Sequence, residues 1–229
     1  MKLLTLFFVS VFLAFSLPAA AQDKWQIADK ATVRLSPAAF PQLPKNIAAY
    51  LRSQNCTIPQ SFGDSKPHNV IRGQFERVGQ NDWAVLCSRS RVSTILVFWK
   101  GSTNSVARIC RSKDSSFLQT VDGDGTVGFS RSISVASKRY ILEHYRSYGG
   151  PKPPKSNHAG INDAFVEKAS EVRYFHRKKW LSLQGADLFR SPTRFPSRSD
   201  IKGRRVSDRM KLSREIIQPS RSDADISET

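Results

Sequence analysis

Three apolar runs separated by short polar turns form the clearest pattern in the chain. They cover residues 69–77, 82–88 and 93–100, and the second run is largely apolar at both odd and even positions. Successive side chains of a strand point to opposite faces of a sheet, so this strand is expected to be covered on both sides. The short connections favour antiparallel pairing. We therefore predict a three-stranded β-meander, with 106–110 as a candidate fourth strand.

The spacing of apolar residues predicts three helices. Leu43, Ile47 and Leu51 recur every four residues, which places them on one face of a helix. A second helix is expected over 137–148, between a serine suited to N-capping and a Gly-Gly-Pro stop. Two apolar residues four positions apart predict a short helix over 161–168.

An extended lead and a hairpin complete the predicted domain. Residues 25–40 show no strong period, whereas 172–175 and 180–183 read as the two strands of a hairpin. The pattern predicts one α+β domain over 22–190, in which helices pack on an antiparallel meander and the hairpin lies at the C-terminal end. Residues 191–229 are rich in Ser, Arg and Asp without an apolar stripe, which predicts a basic disordered tail.

Residues 1–21 have the pattern of a signal peptide. Lys2 supplies a positive charge, an apolar stretch follows over 3–17, and three alanines precede Gln22. The apolar stretch is short for a bilayer core of about 30 Å, which favours cleavage before Gln22 over a retained anchor. The protein is therefore expected to be exported to a periplasm or to the cell exterior, with no transmembrane segment after cleavage.

The three cysteines predict one disulfide and one free thiol in an oxidising compartment. Each of the three pairings is open from the sequence. We favour Cys56–Cys87, because each of these residues lies at the edge of an apolar element that should pack against the other. Cys110 would then remain as a free and buried thiol. Its arginine neighbours are the one argument for a nucleophilic role, and no histidine lies nearby in the sequence.

The positive charge is concentrated in the predicted domain. The whole chain has a net charge of +17, and residues 22–190 hold 26 Lys and Arg against 13 Asp and Glu. Such a surface attracts polyanions, including anionic lipid head groups and acidic cell-wall polymers. A solubilising role is the alternative interpretation, because no Lys/Arg run is long enough to form a dedicated binding arm.

The predicted hairpin tip combines basic and aromatic residues. Arg173, Arg177, Lys178 and Lys179 lie beside Trp180. Cations can bind the anionic groups of a polyanion while ring faces stack on its bases or sugars, so these five residues are a candidate anion-binding site. In the alternative interpretation the rings face the core and the charges are simply solvated.

Two histidines provide the candidate catalytic residues. His158 precedes Asp163 by five positions across a predicted turn, and His68 lies in a Pro-His-Asn setting. Together they would suit acid–base chemistry or a metal-assisted hydrolase, provided that the fold brings them together. The alternative role for each histidine is to hold a loop by hydrogen bonds.

No strong metal or cofactor signature is present. Asp122 and Asp124 alternate with glycines as in a calcium loop, but Val127 and Ile133 stand where an EF-hand needs Gly and Glu. This segment is therefore expected to form an Asp-Gly turn, and we predict neither a metal nor a cofactor.

One segment resembles a single propeller repeat of the FG-GAP or VCBS type. The likeness covers 70–75, 82–86 and 95–98, but the intervening residues 79–81 lack the acidic ligands of such repeats. No second copy follows at the expected period, and a propeller needs several. The resemblance implies a blade-like meander without calcium.

Larger blocks resemble a set of small exported bacterial proteins. They are the DWAVLCS run at 82–88, the H-x-G-I-x-D-x-F-x-E-K-A-S run at 158–170 and the hairpin at 174–187. The resemblance implies the fold and the compartment, and it brings no activity or catalytic residue.

These observations favour a non-catalytic exported module that binds an anionic or envelope-associated partner. No sequence-specific binding of nucleic acid is predicted. The alternatives are the small hydrolase that uses His158, Asp163 and His68, and a structural or inhibitory partner of another envelope protein.

Overall fold

The computed structural model describes residues 23–185. The predicted signal peptide at 1–21 and the predicted tail at 191–229 lie outside the described residues. Within residues 23–185, no helix combines the length and apolar character needed to cross a membrane. The helices are α1 (Lys24–Ala31), α2 (Lys45–Ser53) and α3 (Lys138–Tyr148). The strands are β1 (Arg34–Leu35), β2 (Ile58–Pro59), β3 (Val70–Gly73), β4 (Asp82–Arg89), β5 (Val92–Phe98), β6 (Val106–Lys113), β7 (Leu118–Thr120), β8 (Val127–Phe129), β9 (Arg131–Ala136), β10 (Gly160–Phe165), β11 (Ala169–His176) and β12 (Lys179–Gln184).

The first four-stranded sheet has the order β3-β4-β5-β6, and every neighbouring pair is antiparallel. The predicted meander and its fourth strand are therefore confirmed. One face of this sheet carries Val85, Leu96 and Phe98, which pack against Ile47 and Leu51 of α2. The predicted apolar face of α2 is thus the face that covers the sheet.

The second four-stranded sheet has the order β12-β11-β10-β9 and is also antiparallel. Strands β11 and β12 form the predicted hairpin. Helix α3 covers the outer face of this sheet, where Ile141 packs with Val172 and Leu183. The α3 boundaries follow the predicted signals, because the Ser137 side chain accepts a hydrogen bond from Tyr140 N–H and Gly149 ends the helix with φ of 76°.

The remaining faces of the two sheets pack against each other. Leu86, Ile95 and Val97 of the first sheet share a core with Ile133 and Ile161 of the second. The fold is therefore α+β, with two four-stranded antiparallel sheets packed face to face, α2 on one outer face and α3 on the other. Two further antiparallel sheets of two strands each, β1-β2 and β7-β8, complete the described part of the chain.

The predicted short helix at 161–168 is wrong, because this segment contains strand β10. Ile161 and Phe165 do lie on one face, but they do so by strand alternation, with Asp163 between them on the same face. The prediction of an extended lead over 25–40 is also wrong for its first part, which forms α1. The Asp23 carboxylate caps this helix by accepting a hydrogen bond from Trp25 N–H at 3.1 Å.

The disulfide prediction is confirmed. Cys56, just beyond α2, is bonded to Cys87 of β4, and Cys110 is the free cysteine among the described residues. The bond joins the end of the helix to the sheet that the helix covers. Both cysteines lie in the core between α2 and the first sheet.

Candidate anion-binding groove

Asp163 belongs to a buried ion pair. Its two carboxylate oxygens accept hydrogen bonds from Nε and Nη2 of Arg131 at 2.8 and 2.7 Å. Arg131 is 1% exposed and also donates to Ser93 Oγ and to the Cys110 carbonyl. The carboxylate of Asp163 is therefore occupied by a guanidinium that joins the two sheets.

The two candidate histidines have separate local partners. His68 Nε2 accepts a hydrogen bond from Ser61 N–H at 2.8 Å, and His158 Nδ1 lies 3.0 Å from the Ala159 carbonyl. Strand β10 also carries Asp163 away from His158, since an extended chain advances about 10 Å over the three residues that follow Gly160. Among residues 23–185, no three His, Cys, Asp or Glu side chains are grouped so that they could hold a metal ion. The structure does not bring His68, His158 and Asp163 together.

The predicted hairpin site is divided by the structure. Arg173 forms an ion pair with Glu171 on its own strand. The Trp180 ring stacks on Trp99 at 5.7 Å and meets Phe175 at 5.4 Å, so it belongs to an aromatic cluster between the sheets. Neither side chain presents a free charge or ring face at the tip.

The tip itself exposes three cations. Arg177 and Lys178 form the two-residue turn between β11 and β12, with φ of 48° and 64°, and Lys179 follows them. Positive φ at both turn positions is typical of a type I′ hairpin turn, which favours Asn and Gly. The tip therefore exposes three cations without the adjacent aromatic ring that the sequence predicted.

A more enclosed basic site lies on the outer face of the first sheet, beside α2. It is a groove of about 520 Å³, which we call the basic groove. Strand β5 forms its floor, with β4 and the end of α2 on one side and β6 on the other. Its lining residues are Tyr50, Gln54, Cys87, Arg89, Ser90, Val92, Thr94, Leu96, Arg108, Ile109, Cys110 and Arg111.

All the charged residues that line the basic groove are basic. Arg89, Arg108 and Arg111 are exposed, and none of the twelve lining residues is acidic. In the described part of the chain, none of these arginines is paired with a carboxylate, whereas Arg34 and Arg131 are. The basic groove therefore presents three guanidinium groups whose charge is balanced only by solvent.

Neutral neighbours bond two of these arginines. Arg108 Nη2 donates to the Tyr50 hydroxyl at 2.8 Å, and Arg89 Nη1 makes a long contact of 3.4 Å to Gln54 Oε1. Both acceptors come from the last turn of α2 or the residue that follows it. These contacts direct the guanidinium groups without neutralising them, so their remaining donors can bind an anion.

A β-bulge places Arg108 and Arg111 on the same face of β6. Ile109 pairs with Ile95 and Ser112 pairs with Ser93, so Cys110 and Arg111 both lie opposite Thr94. Strict alternation would have put residues 108 and 111 on opposite faces of the strand. The extra residue turns the Arg111 side chain towards the basic groove. Bulges reorient side chains in the same way beside many binding sites.

Cys110 occupies the bulge with φ of 54°, and it is half-buried rather than fully buried as the sequence predicted. Burial raises the pKa of the Cys110 thiol to about 12, and the negative charge of Asp163 adds to the increase. A thiol with this pKa is protonated at neutral pH, which does not suit a nucleophile. Cys110 packs against the core between the sheets, whereas its neighbours Arg108 and Arg111 line the basic groove and are exposed.

The sequence contains the groove arginines but no local signal that they converge. Arg108 and Arg111 share a face only because Cys110, a residue with no special preference for positive φ, forms the bulge. Arg89 is the last residue of β4, and only the pairing of β4 with β5 brings it to the site. Comparisons with family models, with curated proteins and with solved structures gave no match to this chain.

Proposed function

We propose that this chain is an exported, non-catalytic module that binds an anionic or envelope-associated partner through the basic groove. The observation that carries the proposal is that three arginines without a carboxylate partner line one concave site, and that this site has no acidic lining residue. Guanidinium groups bind carboxylate, phosphate and sulfate oxygens through paired hydrogen bonds, and a concave site holds several such contacts at once.

The charge of the rest of the domain supports the same function. Residues 22–190 contain twice as many basic as acidic side chains, which raises the local concentration of polyanions around the protein. Export rests on the signal-peptide pattern at 1–21, and the disulfide fits an oxidising compartment. The cations at the hairpin tip would attract the same partners from a distance.

The hydrolase alternative lacks support from the geometry. It needs His158, Asp163 and His68 within reach of one substrate or ion, but Asp163 is bound by Arg131 and each histidine bonds to its own loop. Binding is therefore the function that the arrangement of side chains favours.

The test is retention on a heparin column for two charge-matched double variants. Arg108→Gln with Arg111→Gln removes two groove charges, and Arg177→Gln with Lys178→Gln removes two charges from the tip. If each phosphate-like contact contributes a salt slope of roughly one, the groove variant should elute at clearly lower salt, while the tip variant stays close to the parent protein. Equal loss in both variants would mean that retention reports only overall charge.

A further inference from the structure

The groove arginines are spaced at regular intervals along β5. Arg108 lies opposite Leu96, Arg111 lies at the level of Thr94, and Arg89 lies opposite Val92. These three floor residues alternate along one strand, so successive arginines are about 6.6 Å apart in the strand direction. The charges therefore follow the two-residue period of extended peptide.

Both sides of the groove contribute to this series. Arg108 and Arg111 come from β6, and Arg89 comes from β4, about 10 Å away across two strand spacings. A chain lying over β5 would be within reach of guanidinium groups from both sides. A single small anion would have to draw all three long side chains to one point.

The groove floor lacks a stacking surface. Its central residues are the aliphatic or hydroxyl side chains of Val92, Thr94 and Leu96. The aromatic ring in the lining is Tyr50, which packs edge-on against Phe98 at 5.5 Å and holds Arg108 through its hydroxyl. Proteins that bind single-stranded nucleic acid rely on aromatic faces worth about 1–3 kcal/mol per base, so this floor favours a different chain chemistry.

We infer that the basic groove binds an extended acidic peptide segment of a partner protein, with Asp or Glu at every second position. The inference rests on the proposed function and specifies its ligand. Side chains of an extended peptide face one side every two residues, so alternating carboxylates match the levels of Arg108, Arg111 and Arg89. Each guanidinium can then bind one carboxylate in bidentate geometry.

The experiment measures fluorescence anisotropy of two labelled peptides with the purified protein. Both peptides contain the same number of Asp and Ala residues. One repeats Asp-Ala, and the other repeats Asp-Asp-Ala-Ala, so that each face of the second peptide has Asp only at every fourth position. The alternating peptide should bind about tenfold more tightly, which corresponds to the sum of two or three partly exposed ion pairs. The preference should fall to within about twofold in Arg111→Gln and stay unchanged in Arg146→Gln, a matched change on the exposed surface of α3.

Three results would overturn the inference. Equal affinity for the two peptides, still dependent on Arg111, would leave an anion-binding groove without selectivity for peptide spacing. Tighter, Arg111-dependent binding of an oligonucleotide or a uronic-acid oligosaccharide of equal charge would assign the groove to that polymer. Binding that is insensitive to Arg111 would contradict both this inference and the proposed function. Circular dichroism of each variant establishes that these exposed substitutions leave the fold intact.

Discussion

Two groups of arginines differ in what surrounds them. Arg131 is buried and bonded to Asp163, and Arg34 is bonded to Asp29 and to the fully buried Asp114. These side chains join elements that are distant in sequence. The groove arginines face solvent with no acidic partner among the described residues. At the scale of single residues, the contrast separates cations that support the fold from cations that are available to a ligand.

The buried pair provides a direct test of the first group. Asp163→Asn removes the carboxylate charge and leaves the Arg131 guanidinium buried without a counter-charge. We expect the free energy of unfolding to fall by about 3–5 kcal/mol, the usual cost of breaking a buried ion pair on one side. Urea denaturation measures this loss. Asp124→Asn, at an exposed turn, should change the stability little. An unchanged stability in Asp163→Asn would show that this ion pair does not stabilise the fold.

We expect His144 to make the stability of the fold depend on pH. His144 is 4% exposed on α3, with its ring against Tyr140 and Tyr148. Burial lowers the pKa of His144 below its ordinary value of 6.5, although the Leu183 carbonyl that it bonds acts in the opposite direction. The unfolded chain then binds a proton at His144 more readily than the folded chain does. The contribution of neutral His144 to the stability of the fold is therefore present above pH 6.5 and is lost as the pH falls through the lowered pKa.

Urea denaturation above pH 6.5 and near pH 5 measures this dependence. His144→Gln should reduce the loss of stability on acidification, whereas His158→Gln should retain it. A parent protein that is equally stable at both pH values would contradict the assignment.

At the scale of elements, the sequence predicts those helices and strands whose positions depend on local apolar spacing and capping residues. Helices α2 and α3 and the β3–β6 meander follow apolar spacing and caps, and the structure confirms them. Strand β10 was missed because Asp163 interrupts its apolar face, and that carboxylate is acceptable there only through Arg131, 32 residues away. The basic groove was missed for a related reason, since it depends on the bulge at Cys110 and on strand register.

The disulfide links the end of α2 covalently to strand β4. Cys56 and Cys87 are 31 residues apart, so their bond should stabilise the fold by about 3–4 kcal/mol through restriction of the unfolded chain. The double variant Cys56→Ala with Cys87→Ala should show this loss in urea denaturation. Adding reductant should destabilise the parent protein towards the same value and leave the double variant unchanged. If reductant affects both equally, the stabilisation does not come from this bond.

At the scale of the molecule, the sandwich leaves the groove open because α2 is short. A helix of nine residues is about 13.5 Å long, whereas the eight residues of β4 extend about 26 Å, so α2 covers only part of the outer face of the first sheet. The opposite sheet is covered by α3, and the inner faces cover each other. The uncovered part of the first sheet is where β4, β5 and β6 bring their arginines together.

The most direct test of the basic groove is a map of the residues that respond to an anionic ligand. Two-dimensional NMR spectra of the ¹⁵N-labelled protein, recorded during titration with a short heparin oligosaccharide, report this residue by residue. We expect the largest shift changes at Arg89, Thr94, Arg108 and Arg111, and we expect them to disappear in the Arg108→Gln, Arg111→Gln variant. Largest changes at the hairpin tip (Arg177, Lys178 and Lys179), or changes spread evenly over the surface, would contradict the assignment of the groove as the binding site.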